Sequence, residues 1–225
     1  MAGGGFDIVS KFQDGGPVMW PILGLSVLAV AFTIERYIIL FIQKAKLKPD
    51  KFLEALDASM RKNNGDKAKV ADELEALCKK RGGVCADIML EGLRKFKMVK
   101  GMNMGIFELK QWLNSAIEER ARIALPQLES HMVFISIAAT VAPLLGLFGT
   151  VVGMVQSFEV LASSAGGAKP DELAGGIAIA LITTVGGLVV AMPSLIFFNM
   201  IKTSVENYVM LVEEAGVTLI DTLIS

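Results

Sequence analysis

The stretch MVFISIAATVAPLLGLFGTVVGMVQSF, residues 132–158, decides the fold: 27 residues pass without one charged side chain. A helix rises about 1.5 Å per residue, so this run reaches ~40 Å, more than the ~30 Å of a bilayer's hydrocarbon. A second such run covers residues 173–201, with 29 uncharged residues. A third, residues 18–34, meets Glu35 and Arg36 and resumes over residues 37–42. Trp20 and Tyr37 stand near its two ends, at the level amphipathic rings prefer. Three spanning helices are therefore expected, the two longer ones tilted or projecting beyond the bilayer.

The rest of the chain agrees. Of 225 residues, 53% are apolar and only 20% charged, which places the composition among membrane proteins. A net charge of −1 leaves no electrostatic footprint for nucleic acid. Two cysteines exclude a disulfide framework, and one histidine excludes a histidine-based metal cluster. Charge is unevenly placed: over residues 44–130, eighteen basic residues outnumber thirteen acidic ones, whereas elsewhere four basic residues face ten acidic.

The basic residues set the expected orientation. Lys44, Lys46, Lys48 and Lys51 follow the first span, and Arg120 and Arg122 precede the second, whereas Lys169 is alone between the second and third. By the positive-inside rule the N-terminus is outside and the C-terminus inside. The expected segments are 1–17 (periplasmic, interfacial), 18–43 (first span), 44–130 (cytoplasmic helical domain), 131–161 (second span), 162–171 (periplasmic loop), 172–201 (third span) and 202–225 (cytoplasmic C-terminal helix). Phe6, Ile8, Val9 and Phe12 suit a short interfacial helix. No cleavable signal is expected, since residues 1–6 lack a basic start.

Apolar stripes at helical spacing fill the cytoplasmic part: Phe52, Leu53, Leu56 and Met60; Val70, Leu74 and Leu77; Ile88, Met89, Leu93 and Phe96. Their expected stops are Asn63-Asn64-Gly65, Gly82-Gly83 and Gly101. A further helix begins near Ile106 and runs toward the second span, with a kink or short break at Pro126. No alternating strand pattern occurs, so the fold class is all-α.

No Ser/His/Asp set, CxxC pair, phosphate-binding loop or carboxylate dyad stands out, so the chain does not read as an enzyme. Cys78 and Cys85 read as buried small apolar residues rather than ligands. His131, at the mouth of the second span, suits interfacial solvation or a proton relay. The basic block suits membrane-surface solvation, with a docking patch as the other reading.

The spans carry small residues four apart, Gly149/Gly153 and Gly187/Ala191, a spacing that lets helices approach closely. Pro143, Leu147, Thr150 and Met154 share a stripe of the second span; Ala180, Thr184, Gly187 and Ala191 share one on the third, beside Thr183. In an antiparallel pair Thr150, ~12 Å from Phe158, and Thr184, ~17 Å from Leu173, lie at similar depth. Threonine there either bonds its own helix or lines a polar path. Neither span holds an internal acid, Glu159 and Glu172 lying at their outer ends, and ion paths through hydrocarbon usually need an ionisable group. If this chain conducts, the titrating carboxylate belongs to another polypeptide.

These motifs resemble the MotA/TolQ/ExbB family, and most closely its ExbB/TolQ branch. Gly15-Gly16-Pro17-Val18-Met19-Trp20-Pro21 with Ile34-Glu35-Arg36 resembles the first helix, and Ala142-Pro143-Leu144-Leu145-Gly146-Leu147-Phe148-Gly149-Thr150-Val151 the second. Gly176-Ile177-Ala178, Thr183-Thr184 and Gly187-Leu188-Val189-Val190-Ala191-Met192-Pro193 resemble the third.

The resemblance implies a homopentamer in the bacterial inner membrane around a central pore. Two copies of an ExbD/TolR-like single-span partner would occupy that pore, the partner's Asp taking up and releasing the ion. Thr150, Thr184 and Thr183 would touch that Asp or the ion; Pro143, Leu147, Met154, Ile179, Ala180 and Gly187 would line the pore and pack the partner helix. No cofactor is implied, only a translocated H⁺ or Na⁺. Many members carry a glutamate where this chain has Ile179, which leaves Na⁺ open and increases dependence on the partner's acid. The expected function is an ion-driven motor or channel subunit whose work reaches the periplasm or outer membrane. The alternative is a non-conducting oligomeric scaffold.

Overall fold

The computed structural model describes residues 12–99, 105–163 and 170–224, and its regular elements there are all helices. They are α1 (Met19–Ala45), α2 (Pro49–Lys62), α3 (Lys67–Arg81), α4 (Val84–Val99), α5 (Ile106–Ala124), α6 (Pro126–Glu129), α7 (Met132–Ser163) and α8 (Pro170–Ile224). The expected interfacial helix lies outside the described residues except for Phe12, as does most of the loop expected over 162–171.

Three helices are long and apolar enough to cross a membrane: Met19–Gln43, Met132–Ser163 and Leu173–Ile224. The last covers 52 residues, so at ~1.5 Å rise it far exceeds the hydrocarbon, and its charged residues begin at Lys202.

Helix ends follow local chemistry. Asn64 and Gly65, with φ of 49° and 78°, terminate α2 in the left-handed region that Asn and Gly tolerate best. The Asp66 carboxylate then accepts the Ala68 and Lys69 N–H groups at 3.1 and 3.5 Å and starts α3. The helix from Ile106 breaks at Pro126, one of the two expected outcomes, and a second time at His131. Pro126 cannot donate to the preceding turn and opens the single-turn α6, and His131, with φ 62°, separates α6 from α7.

The chain forms two compact units. One holds the described residues to Arg36 with His131–Met200; the other holds Tyr37–Ser130 with the residues from Ile201 onward.

In the first unit α7 and α8 are antiparallel and nearly touch. Contacts pair Ser157 with Leu173 and Gly176, Gly153 with Gly176 and Ala180, Gly149 with Thr183, and Gly146 and Ala142 with Gly187. A Cβ on Gly187 would sit 2.5 Å from the Ala142 carbonyl oxygen, and one on Gly153 at 2.5 Å from that of Gly176. Only glycine admits backbone this near. The start of α1 covers one flank of the pair, where Val18, Met19 and Ile22 pack with Leu145, Val152 and Val190.

In the second unit Phe52, Leu56, Val70, Leu74, Ile88, Met89, Leu93, Leu113, Val205 and Leu219 are buried. The C-terminal part of α8 enters this core, where the Tyr208 hydroxyl oxygen accepts the Cys85 N–H at 3.4 Å. Burial pushes both the Cys78 and Cys85 thiols up to about 12, so they are inert at neutral pH.

Candidate functional site

The candidate site lies on the flank of the α7–α8 pair opposite α1. At 3.6 residues per turn Pro143, Leu147, Thr150 and Met154 fall within a ~60° arc of α7. Leu145 and Val152, which pack on α1, face elsewhere. Leu147 is 60% exposed and Met154 41%, both large apolar side chains with nothing of this chain over them. Thr150 and Pro143 are half-buried between that exposed arc and the glycine seam.

Thr150 and Thr184 stand on neighbouring turns across the seam, since Gly146, one turn from Thr150, lies against the backbone of Thr183 and Thr184. The Thr150 hydroxyl donates to the Leu147 carbonyl at 2.6 Å. That of Thr184 donates to Ala180 at 3.2 Å and lies 3.4 Å from the Gly146 carbonyl on the facing helix. A hydroxyl has one proton and two lone pairs. With each proton held by backbone, the oxygens can offer only lone pairs to a guest. They suit a donor, such as a protonated carboxyl, or a cation.

The other expected site residues separate into two groups. Thr183 is fully buried, its hydroxyl donating to Ile179 and Ala180 at 3.0 and 2.9 Å while its side chain presses on Gly149. Ala180, 4% exposed, and Gly187 are buried in the same seam. Ile179 is on the α1 side, near Gly16. Within one chain, then, Pro143, Leu147, Thr150, Met154 and Thr184 share a flank, and Thr183, Ala180, Gly187 and Ile179 lie behind it.

Residues 83–214 match the MotA/TolQ/ExbB proton channel family. The ExbB-like biopolymer transport protein 3 of Synechocystis sp. is 32% identical over 205 residues, covering 90% of this chain and 89% of that protein. The chain belongs to the MotA/TolQ/ExbB proton channel family. The Tol-Pal system protein TolQ of Haemophilus influenzae is 29% identical over 182 residues, 80% of this chain and 78% of TolQ. The biopolymer transport protein exbB1 of Vibrio cholerae is 37% identical over 68 residues, 30% of each chain. These relatives agree with the ExbB/TolQ branch. It is a channel family of membrane proteins and not a known enzyme family. No cluster of metal-ligating side chains occurs among the described residues.

A contact that sequence reasoning missed lies on the α1 side. His131 Nδ1 is 3.0 Å from Glu35 Oε1, although the two residues are 96 apart in the chain. No local spacing signals such a pair.

Proposed function

We propose that this chain is the ion-channel and motor subunit of an energy transducer in the bacterial inner membrane. A homopentamer, N-terminus outside and C-terminus inside, would turn the α7–α8 flank toward a central pore. Two copies of an ExbD/TolR-like single-span protein would occupy it, each bringing an Asp. Proton or sodium flow past that Asp would drive motion that the partner carries to the periplasm or outer membrane. Residues 18–43, 131–161 and 172–201 would cross the bilayer, with 44–130 and 202–225 inside and 1–17 and 162–171 outside.

One observation carries this reading: two membrane-depth hydroxyls, protons already donated to backbone, flank an exposed apolar surface without an acid. Thr150 and Thr184 accept a hydrogen bond from the partner's Asp when it is protonated, or ligate a cation between partner and wall. Thr183 holds α8 in place behind them. Leu147 and Met154 pack the guest helix, while Pro143, Ile179, Ala180 and Gly187 shape the wall.

The scaffold alternative draws on the same hydrogen bonds, which also occur where threonine merely bonds its own helix. Flux measurements on chain and partner reconstituted together separate the two readings. Thr150→Val and Thr184→Val should each lower gradient-driven flux about tenfold or more, as loss of one polar ligand typically costs 1–3 kcal/mol, with oligomer size unchanged. Wild-type flux in both variants would leave the scaffold reading standing.

A further inference from the structure

The Glu35–His131 contact is part of a cluster outside the ion path described above. Glu35 Oε1 lies 3.0 Å from His131 Nδ1 and accepts Arg36 Nη2 at 2.8 Å. Around it, the rings of Phe32 and Phe134 stack at 4.5 Å and 13°, and the His131 ring is tilted on Phe32 at 5.5 Å. Arg36 is buried, at 3% exposure, whereas the Glu35 and His131 side chains are 37% and 48% exposed and are not covered by the rest of this chain.

His131 also occupies an unusual piece of backbone. Its φ of 62° is in the left-handed region, uncommon for a residue other than glycine, although histidine enters it more readily than most. It ends the break after α6 and immediately precedes α7, with its carbonyl accepting the Phe134 N–H at 3.2 Å. An imidazolium at a helix N-terminus opposes the helix dipole, and the Arg36 guanidinium on α1 opposes it further. Glu129, two residues earlier on α6, adds a negative charge nearby along the chain. Among the described residues, Glu35 is the one carboxylate bonded to His131. Its charge is what makes a protonated ring tolerable there.

We propose that Glu35 and His131 form a proton-binding site apart from the ion path, whose occupancy clamps the inner end of α1 to the start of α7. The neutral ring donates Nδ1–H to the Glu35 carboxylate and takes a further proton on Nε2 from water. The pair then changes from a hydrogen bond between a neutral donor and a carboxylate to one between opposite charges, which adds a Coulomb attraction to the bond already made. Gain of the proton therefore tightens the clamp and its loss slackens it, the sense in which a histidine can act as a switch. Because α1 covers the flank opposite Thr150 and Thr184, a proton held here is not one in transit. That the ion passes on the far flank, and that this end faces the cytoplasm and would sense internal pH, both rest on the proposed function.

The test is hydrogen exchange on the full chain in lipid nanodiscs, without partner or gradient, at about pH 6 and about pH 8. Amides of residues 30–36 and 130–134 are followed after correction for intrinsic exchange. Wild type should be about three- to tenfold more protected at the lower pH. Glu35→Gln keeps the shape and removes the charge; His131→Asn removes the ring with a residue that also tolerates left-handed backbone. Both should abolish the difference. Equal protection of wild type at the two pH values overturns the proposal without any variant, and a difference that survives in Glu35→Gln overturns it as well. Silent threonine variants in the flux assay would leave this site untouched, and failure here would leave the ion path untouched.

Discussion

Thr150 and Thr184 differ from Thr183 in what surrounds them rather than in chemistry. All three hydroxyls donate to carbonyls of their own helix, but only Thr183 is wholly enclosed, against Gly149. The role of a side chain here is set by its position around the helix. Serine keeps both lone pairs and the proton, so Thr150→Ser and Thr184→Ser should retain most of the wild-type flux in the reconstituted assay that Thr→Val impairs. At Gly149 a methyl group would run into the Thr183 side chain. Gly149→Ala should therefore destabilise the α7–α8 pair by about 1–3 kcal/mol in detergent unfolding, as overpacking does. Thr183→Gly in the same chain should recover much of that loss, since it removes the obstructing atoms. The sequence made both threonine levels legible, because α-helical spacing and antiparallel depth are simple geometry. It did not separate Thr183 from Thr184, since adjacent residues point ~100° apart and only the packed partner tells which is covered.

For whole helices, the seam between α7 and α8 is set by main chain rather than by side chains. At Gly153 and Gly187 an added methyl would meet carbonyl oxygens of the facing helix, so trimming a neighbour gives no relief. Alanine at either position should lower the stability of the α7–α8 pair by about 1–3 kcal/mol without any second-site side-chain rescue, in contrast to Gly149. The short helices of the other unit depend on charge. Glu73 receives hydrogen bonds from Lys62, Ser59 and Asn63, which hold its carboxyl down at about 2, and Lys79 and Lys97 do the same to Glu75. A depressed carboxyl stabilises the fold above its ordinary range near 4.5 and loses that effect as pH falls toward about 2. Amides of α2 and α3 should therefore lose protection over that interval in acid hydrogen-exchange measurements, and Glu73→Gln should remove part of the change. These helices and their stops were legible because Asn64, Gly65, Gly82 and Gly83 punctuate apolar stripes. The second break, at His131, was not: histidine's preference for left-handed backbone is too weak to mark a break, and the ring's contact with Glu35 comes from α1.

The assembled protein turns on which side of the membrane each segment occupies, and the two native cysteines make that measurable. Both are buried with thiols near 12, so a membrane-impermeant maleimide should leave them unlabelled in the native protein and react on denaturation. Added cysteines then report alone. Gln13→Cys, ahead of α1, should label in intact cells, and Lys48→Cys, just beyond α1, only after the inner face is opened. The reverse pattern would falsify the proposed orientation. The three long apolar helices were legible from run length, and residues 83–214 confirm the family. Subunit number and partner are legible in neither the residues nor one chain's packing, because they depend on surfaces that this chain leaves open.

That openness has a consequence for how such machines diversify. The glycine seam fixes the distance between α7 and α8 through main-chain contacts, so Leu147, Met154 and their exposed neighbours contribute little to holding the pair together. If the proposed partner helix packs there, mutations can retailor its fit while the frame stays sound. A lineage could thus acquire new clients by altering a few greasy side chains, long before any change reaches the hydroxyls between them.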